Sequence, residues 1–278
     1  MIQRSFSNGL SVSVLGMGCG RVGSISNPTP MREIEATLEA AIEAGINLFD
    51  TADIYGQGDS ERTLARLLRR HGDRMFVVTK VGGRHSRYAS VLRLAKPLLR
   101  VLAKSRPNVR SAVVAARTAT VVHDFSPLDL LSAVNDSRHR LNLDQLHGLL
   151  LHSTSVETLR KAEIQDFLAE LLRSGKAKCV GASVDSLEAL EAAVLIPAVT
   201  MIQAPLGVVE ALPGSAILDH IHQRNTGLFV REVLRRSVVA NRSPREALST
   251  AIAPDFVTAT IVGVSTRQHL GELLSSIT

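Results

Sequence analysis

The chain of 278 residues is 45% hydrophobic and 21% charged, so it can bury a full-size core and is not a candidate for intrinsic disorder. Two cysteines exclude a disulfide framework and give no metal-site spacing, and no signal-peptide core or run of about 18 apolar residues is present, so we expect a cytoplasmic protein without a membrane-spanning segment. The net charge is +6, but residues 81–123 carry nine Lys or Arg and no acid; subtracting these nine leaves −3 elsewhere, which argues against a general nucleic-acid surface.

The predicted elements begin with a β-hairpin in the stretch FSNGLSV, where the Asn8-Gly9 pair suits a type I′ turn. Amphipathic helical patterns such as REIEATLEAAIEAG and VETLRKAEIQDFLAELLRSG then alternate with short apolar runs. The second of these patterns ends at Gly175, which can adopt the left-handed cap conformation. Eight runs are predicted as strands, in chain order VSVLGMG, INLFD, MFVVTK, HGLLLH, AKCVGAS, VTMIQ, GLFVRE and TATIVG.

This alternation predicts the fold class. Runs that are apolar throughout are typical of parallel strands buried on both faces, and eight strand-helix units close into a (β/α)8 TIM barrel. We therefore predict one barrel domain over residues 1–278. An open doubly wound sheet is the alternative, but the turn GMGCGRVG is followed by a long loop with Ser and Pro, where a dinucleotide-binding turn would lead directly into a helix.

A basic, partly helical insertion at residues 84–123 is predicted after the third strand. Its segment YASVLRLAKPLLRVLAK has a helical pattern that Pro97 kinks or ends. Because the insertion follows Lys80, three roles are open: a lid that shapes a substrate pocket, a solvated cover, or an interfacial helix attracted to anionic lipid. Aromatic residues make up only 3%, which argues against nucleic-acid binding by stacking. Four basic side chains share one face of the predicted helix: Arg93, Lys96, Arg100 and Lys104.

Ionisable side chains end three successive predicted strands, namely Asp50, Lys80 and His152. The C-terminal strand ends of a barrel meet at one mouth, and Tyr55 follows Asp50 in a loop that can fold back over it. A lysine ammonium lowers the pKa of a neighbouring tyrosine and would make its phenol a better proton donor, while Asp50 would hold Lys80 and His152 would orient the same oxygen. This set predicts reduction of a carbonyl group, in which oxygen gains a proton while carbon gains a hydride.

The segments FDTADIYGQGDSE, VVTKVG and LLLHS resemble the signature segments of the aldo-keto reductases, and the resemblance continues through GKAKCVGAS, MIQAP, FVREVL and IVGVSTRQHLGELL. It implies a nicotinamide cofactor bound without a Rossmann fold, and Asp50, Tyr55, Lys80 and His152 as the catalytic tetrad. The implied substrate is a small-molecule aldehyde, ketone or sugar, or the corresponding alcohol. Family members that oxidise sugars or pyridoxal are similar in having a long segment after the lysine strand, which favours the lid.

The resemblance also implies residues that hold the nicotinamide. Ser183 and Gln203 match the family residues that bind its amide, although Val184 replaces the usual Asn. The alternatives are structural: Ser183 would cap the following helix, and Gln203 would satisfy backbone groups at a strand end. Arg231 stands where many members have a ring-stacking aromatic residue.

The segment that begins at Gly263 matches the family's adenosine-phosphate segment, with Leu273 in place of the Asn that contacts adenine. A basic clamp for a 2′-phosphate would come from Arg267 or His269, aided by Ser265. NADP is therefore the favoured cofactor, with NAD as the alternative.

Two other functions are weighed against an NAD(P)-dependent oxidoreductase. A barrel whose cofactor site has eroded, serving as a nucleotide-binding or regulatory subunit, is suggested by Val184 and Leu273. Schiff-base chemistry at Lys80 is disfavoured, because a lysine paired with Asp50 stays protonated and is a poor nucleophile. The sequence leaves the oligomeric state open.

Overall fold

A computed structural model of the chain describes residues 1–7, 9–24, 27–85, 121–234 and 243–275. Eight parallel strands close into a barrel, with the last strand paired to the first. The barrel strands are β3 (Leu15–Gly18), β4 (Leu48–Asp50), β5 (Phe76–Val81), β8 (Leu146–Leu151), β9 (Ala177–Ser183), β10 (Met201–Pro205), β11 (Gly227–Arg231) and β12 (Ala259–Val262). Outside the barrel lie two antiparallel pairs, β1 (Gln3–Phe6) with β2 (Leu10–Ser13), and β6 (Gly83–His85) with β7 (Val121–His123).

Helices cover the outside of the barrel and bury their apolar stripes against the strands; in α1, for example, Ile34, Leu38 and Ala41 are buried. This arrangement confirms the predicted (β/α)8 barrel and its N-terminal hairpin. Across the described ranges no helix is long and apolar enough to cross a membrane. The helices are α1 (Met31–Glu43), α2 (Asp59–His71), α3 (Pro127–Leu141), α4 (Val156–Leu159), α5 (Ala162–Arg173), α6 (Leu187–Val194), α7 (Leu206–Val209), α8 (Ala216–Gln223), α9 (Pro244–Ile252) and α10 (Arg267–Ser275), with short 3₁₀ turns at Tyr55–Gly58 and Gly72–Arg74.

Two predicted elements are each divided in the structure. The predicted strand VSVLGMG is divided at Val14. The residues before Val14 belong to the hairpin, where the Ser13 side chain accepts a hydrogen bond from Asn47 N at 3.1 Å, and the residues after it form β3 of the barrel. The predicted helix over residues 156–175 is two helices, because Lys161 adopts an extended backbone conformation between them. Lys161 is the N-cap of α5, and its carbonyl oxygen accepts the first backbone hydrogen bonds of that helix. Gly175 does take the left-handed conformation, with φ 66°.

The two ends of the predicted insertion form a β-ribbon, in which Gly83 pairs with His123. The predicted helix around Pro97 lies outside the described residues. At the N-terminal hairpin the chain reverses between Ser7 and Leu10, whose N–H donates to Ser7 O at 3.1 Å, while Phe6 pairs with Leu10. The predicted type I′ geometry at Asn8 also lies outside the described residues.

Side chains alternate along each barrel strand between two buried regions. Outward-facing residues such as Phe49 and Val77 pack under the helices. Inward-facing residues fill the barrel interior as a second cluster, which includes Leu48, Val78 and Leu150. This period of two fixes which residues near the strand ends point into the mouth.

Candidate active site

The alternation along the strands brings the predicted residues to one end of the barrel. On β5, Val78 packs inside the barrel, so Lys80, two residues later, points inward above it. The same step of two residues connects four further pairs of inward positions: Leu48 with Asp50, Leu150 with His152, Met201 with Gln203, and Phe229 with Arg231. The strand ends therefore converge as expected from the sequence.

Tyr55 reaches the same volume because the loop after Asp50 continues along β5 and then turns back. Asp53 N donates to Lys80 O at 3.1 Å, and the next residues form a 3₁₀ turn from Tyr55 to Gly58. Gly56 has φ 58°, and a Cβ there would lie 2.7 Å from the Val22 carbonyl oxygen, so this position requires glycine. The glycines of the loop thus allow the tyrosine to return beside the strand end.

Four predicted catalytic side chains are in contact with or next to one another. Lys80 Nζ lies 2.5 Å from Asp50 Oδ1 and donates to Thr51 O at 2.9 Å. The same Nζ is 5.3 Å from the centre of the Tyr55 ring. The rings of Tyr55 and His152 are 5.8 Å apart and nearly perpendicular, at 85°. The structure therefore brings the whole predicted tetrad together.

The pKa values of Tyr55 and Lys80 both rise in this environment. Burial raises the pKa of Tyr55 and outweighs the lowering by the Lys80 ammonium, so the lowered tyrosine pKa predicted from the sequence is wrong in direction. Burial alone would lower the pKa of Lys80, but the negative charge of Asp50, the nearby Tyr55 oxygen and the hydrogen bond to Asp50 together raise it. At neutral pH the phenol and the ammonium therefore both carry their protons.

His152 is neutral at physiological pH. Burial, followed by the positive charges of Lys80, His123 and Arg231, lowers its pKa to about 3. Its Nδ1 is buried and has no hydrogen-bond partner within the described part of the chain. The imidazole can therefore act as a neutral hydrogen-bonding group and not as a cation.

A cavity of about 400 Å³ lies over this group. The tetrad lines it together with three predicted cofactor residues that come from neighbouring strands, Ser183, Gln203 and Arg231, and with Gly263. Ser183 Oγ donates to Gln203 Oε1 at 3.0 Å, and Gln203 Nε2 donates to Asp50 Oδ1 at 2.8 Å. Ser183 caps no helix; that role belongs to Ser186, whose side chain accepts from Ala189 N.

Arg231 is fixed in the cavity wall by two acidic side chains. Its guanidinium donates to Val184 O at 3.1 Å and forms ion pairs with Asp185 and Glu232. Val184, which replaces the Asn usual in the family, is fully buried. The guanidinium of Arg231 therefore has a defined position opposite β5 in the barrel.

The remaining predicted cofactor residues lie beyond the cavity wall, where β12 leads into α10. Arg267 and His269 are exposed in the first turn of α10, and Arg267 Nε donates to Ala36 O at 3.3 Å. Ser265 Oγ accepts from Asn27 Nδ2 at 3.4 Å. Leu273 is only 5% exposed and packs in the core, so it offers nothing to a ligand.

Four cavity residues with polar side chains were not predicted from the sequence: Arg21, Ser153, Asp185 and Glu232. Each follows the end of a barrel strand by one to three residues, so the rule that identified Asp50 would have found them if it had been applied to all eight strands. Asp185 and Glu232 both form ion pairs with Arg231. The linear sequence does not show that Arg231 lies beside both of them.

Comparisons with known sequences identify the family of the chain. The family model described as "Aldo/keto reductase family" matches residues 14–248. A D-threo-aldose 1-dehydrogenase of a Pseudomonas species is 27% identical over 244 residues, which cover 85% of this chain and 70% of the relative. A pyridoxal 4-dehydrogenase of Microbacterium luteolum is 25% identical over 281 residues, covering 94% of this chain and 78% of the relative.

Solved structures agree on the fold. An aldo-keto reductase of Bacillus halodurans in its holo form superimposes with a TM-score of 0.76 at 20% identity, over 100% of this chain and 91% of that one. A structure assigned to the aldo-keto reductases from Pseudomonas aeruginosa gives a TM-score of 0.75 at 24% identity, over 99% and 93% of the two chains. With the family match spanning most of the sequence, the chain belongs to the aldo/keto reductase family and is an oxidoreductase that acts on carbonyl and alcohol groups.

Proposed function

We propose that the protein interconverts the carbonyl of a small aldehyde, ketone or sugar and the corresponding alcohol, with NADPH or NADP as cofactor and Tyr55 as general acid and base. The observation that carries this proposal is the buried Lys80–Asp50 ion pair beside Tyr55 and His152 in one cavity wall. The names of the two dehydrogenase relatives fit such a substrate.

Each member of the tetrad has a task that follows from its surroundings. A nicotinamide cofactor supplies or accepts a hydride when it is bound. Tyr55 keeps its proton at neutral pH and donates it to the carbonyl oxygen. The Lys80 ammonium then stabilises the phenolate that remains, and Asp50 keeps that ammonium charged and in place. In the direction of alcohol oxidation the same phenolate takes the proton back.

His152 orients the carbonyl oxygen. A buried Nδ1 without an acceptor is more stable without a proton, so the tautomer with its proton on Nε2 is favoured. Because the ring is neutral, this Nε2–H can donate a hydrogen bond to the substrate without competing with Tyr55 for proton transfer. The imidazole thus fixes the oxygen next to the phenol.

The residues at the opposite wall fit a nicotinamide amide. Ser183 Oγ uses its hydrogen on Gln203 and keeps lone pairs to accept from a carboxamide N–H. Gln203 is anchored to Asp50 and keeps one N–H to donate to a carboxamide oxygen. The exposed, side-chain-free Gly263 leaves the path open from this pair towards α10, where Arg267, His269 and Ser265 would bind the 2′-phosphate of NADP.

The proposal is tested with Tyr55→Phe. Removing only the phenolic hydroxyl eliminates the proton donor and keeps the ring against His152, so carbonyl reduction should fall by about 10²- to 10⁴-fold. Fluorescence titration with NADPH should give a Kd within about twofold of wild type.

The two measurements together separate the proposal from its alternative. Wild-type protein that binds NADPH tightly but reduces no carbonyl would favour a nucleotide-binding or regulatory barrel. Turnover of Tyr55→Phe within about threefold of wild type would remove Tyr55 from the acid-base role, whatever the cofactor does.

A further inference from the structure

Arg231 lies in the cavity wall next to the two residues that fit a nicotinamide amide. It ends β11, and its guanidinium donates to Val184 O at 3.1 Å. Val184 directly follows Ser183, and the N–H of Val184 donates to Gln203 O at 2.9 Å. The backbone of Val184 therefore connects the guanidinium to both residues of the amide site.

The guanidinium is more buried than the two carboxylates that pair with it. The side chain of Arg231 is 18% exposed, whereas those of Asp185 and Glu232 are 59% and 40% exposed. Glu232 adopts the left-handed backbone conformation with φ 62°, which is unfavourable for a residue with a side chain and persists only where the surroundings hold it. The chain thus keeps a cation in the cavity wall and its two anions nearer to the solvent.

The charge of Arg231 acts on the tetrad. It contributes to the lowered pKa of His152 and opposes the rise in the pKa values of Tyr55 and Lys80. Water screens exposed charges more strongly than buried ones, so the carboxylates of Asp185 and Glu232 compensate the guanidinium only in part on the cavity side.

Three cations line the cavity among the described residues, and they differ in how they are compensated. Lys80 is neutralised by the buried carboxylate of Asp50 at 2.5 Å. Arg21 is exposed to water. Arg231 is therefore the cation of the wall that is mostly buried and yet has only half-exposed carboxylates beside it.

Reduction of a carbonyl changes the charge of the cofactor next to this cation. A hydride carries two electrons and one proton, so its transfer from the neutral ring of NADPH to the carbonyl carbon leaves the ring of NADP⁺ with one positive charge. A fixed cation beside the ring disfavours the charged form relative to the neutral one.

We propose that Arg231 determines which redox state of the cofactor the site prefers, making the protein bind NADPH more tightly than NADP⁺ and so release the oxidised cofactor after carbonyl reduction. Asp185 and Glu232 oppose this preference, because negative charges stabilise the oxidised ring. This inference rests on the proposed use of a nicotinamide cofactor and extends it to a residue outside the tetrad and to the direction of the reaction.

The test measures the affinity of each variant for both forms of the cofactor. NADPH is titrated by its own fluorescence, and NADP⁺ by its displacement of bound NADPH. In wild type the Kd for NADP⁺ should exceed that for NADPH by at least about tenfold. Arg231→Gln, which keeps a donor for Val184 O without the charge, should lower this ratio about 3- to 10-fold. Arg231→Lys keeps the charge and should leave the ratio within about twofold of wild type.

The partners of Arg231 give a prediction of opposite sign. Asp185→Asn and Glu232→Gln each remove one negative charge and leave the guanidinium, so each should raise the ratio about 2- to 3-fold. These two variants keep the proposal testable if the thermal midpoint shows that Arg231→Gln fails to fold. Arg173→Gln, at an arginine of α5 whose side chain is 81% exposed, is the matched control and should leave the ratio unchanged.

The ratio separates a role of the charge from a merely structural role. Arg231→Gln protein that binds both forms more weakly but in the wild-type ratio would overturn the proposal. A lower ratio in Asp185→Asn or Glu232→Gln would overturn it as well. Wild type that binds both forms equally would overturn the redox preference alone, and wild type that binds neither form would overturn the proposed function too.

Discussion

Arg267 and His269 occupy the exposed first turn of α10, four and six residues after Gly263 in the cavity wall. Arg267 Nε is engaged with Ala36 O, which leaves the outer nitrogens of the guanidinium for a phosphate. If this pair binds the 2′-phosphate, replacing both residues by Ala removes at least one charge-assisted hydrogen bond, worth roughly 1.5 to 3 kcal/mol. The Kd for NADPH should rise at least about tenfold while that for NADH stays nearly constant. Gln268→Ala, between the two, is the control, and equal weakening of both cofactors would contradict the clamp.

Asp53 is a half-buried carboxyl in the turn that delivers Tyr55. Its Oδ1 accepts from Ile54 N at 2.7 Å, and its backbone N–H donates to Lys80 O. Burial, and then the negative charge of Glu61, raise the pKa of Asp53 to about 8, although Arg140 and Lys80 pull it down. At neutral pH this carboxyl is therefore largely protonated.

This shift predicts a stability that falls as the pH rises from about 3.8 to about 8 and then levels off. The unfolded carboxyl ionises near 3.8 and the folded one near 8, so the folded protein binds an extra proton between these values. Its contribution is complete below the unfolded pKa and is lost as pH rises through about 8. Asp53→Asn keeps the hydrogen bond to Ile54 without the charge, and should raise the thermal midpoint by about 2 °C or more at pH 8.5 but not at pH 4.5. Asp136→Asn, at an exposed helical site, is the matched control, with its thermal midpoint measured at the same two pH values.

At the scale of elements, α2 and α3 are joined by a buried ion pair below the Tyr55 turn. Glu61 is fully buried, pairs with Arg140 at 2.5 Å and accepts from Thr79 Oγ1 at 2.7 Å. Arg140→Met would leave Glu61 as an uncompensated charge next to Asp53, and should cost about 3–5 kcal/mol of unfolding free energy in urea. Adding Glu61→Gln to Arg140→Met removes that charge and should restore part of the stability. Strictly additive losses would show that the two side chains are not coupled.

The eight barrel strands were predictable because each is a short apolar run, and a parallel barrel buries such runs on both faces. Strand AKCVGAS coincides with β9 from Ala177 to Ser183, and the tetrad followed from the polar residues at three strand ends. These features depend on local pattern alone. The splits at Val14 and Lys161 were not predictable in the same way. The first depends on a hydrogen bond between Ser13 and Asn47, which is distant in the sequence, and the second on the extended backbone of Lys161, whose carbonyl oxygen accepts from residues of the following helix.

The direction of the tyrosine pKa and the ion pairs of the site depend on three-dimensional surroundings. Proximity of Lys80 to Tyr55 could be inferred from strand order, but the degree of burial that reverses the sign of the pKa shift could not. Arg231 was selected as a cofactor residue, and Glu232 is its neighbour in the sequence, whereas its ion pair with Asp185 depends on the loops after β9 and β11 meeting at the rim. Composition and periodicity do not indicate which residues of different loops come into contact.

For the whole molecule, the barrel separates stability from chemistry by placing them at opposite ends. The C-terminal strand ends carry the tetrad and the cavity. At the other end, the hairpin of β1 and β2 closes the barrel: Ser7 N donates to Asn225 O at 2.8 Å, just before β11 begins. The interior cluster of apolar side chains lies between the two ends.

Phe6 is the residue through which the hairpin closes that end. It is fully buried, 5.3 Å from Phe229 at 90° and 6.1 Å from Phe76 at 80°, and it covers Gly227, where a Cβ would come within 2.5 Å of its ring. Phe6→Ala should therefore cost about 3–5 kcal/mol of unfolding free energy through lost burial and an unfilled cavity.

Because the site lies at the other end, kcat and KM of the folded Phe6→Ala protein should stay within about twofold of wild type. Ile2→Ala is the matched control on the same hairpin, since Ile2 is 67% exposed and its loss should change stability by less than about 0.5 kcal/mol. Urea unfolding and carbonyl-reduction kinetics on the same preparations check both halves of the prediction. A Phe6→Ala protein as stable as wild type would mean that the hairpin does not close the barrel. A large loss of kcat in Phe6→Ala protein that is fully folded would mean that the two ends are mechanically coupled through the interior cluster.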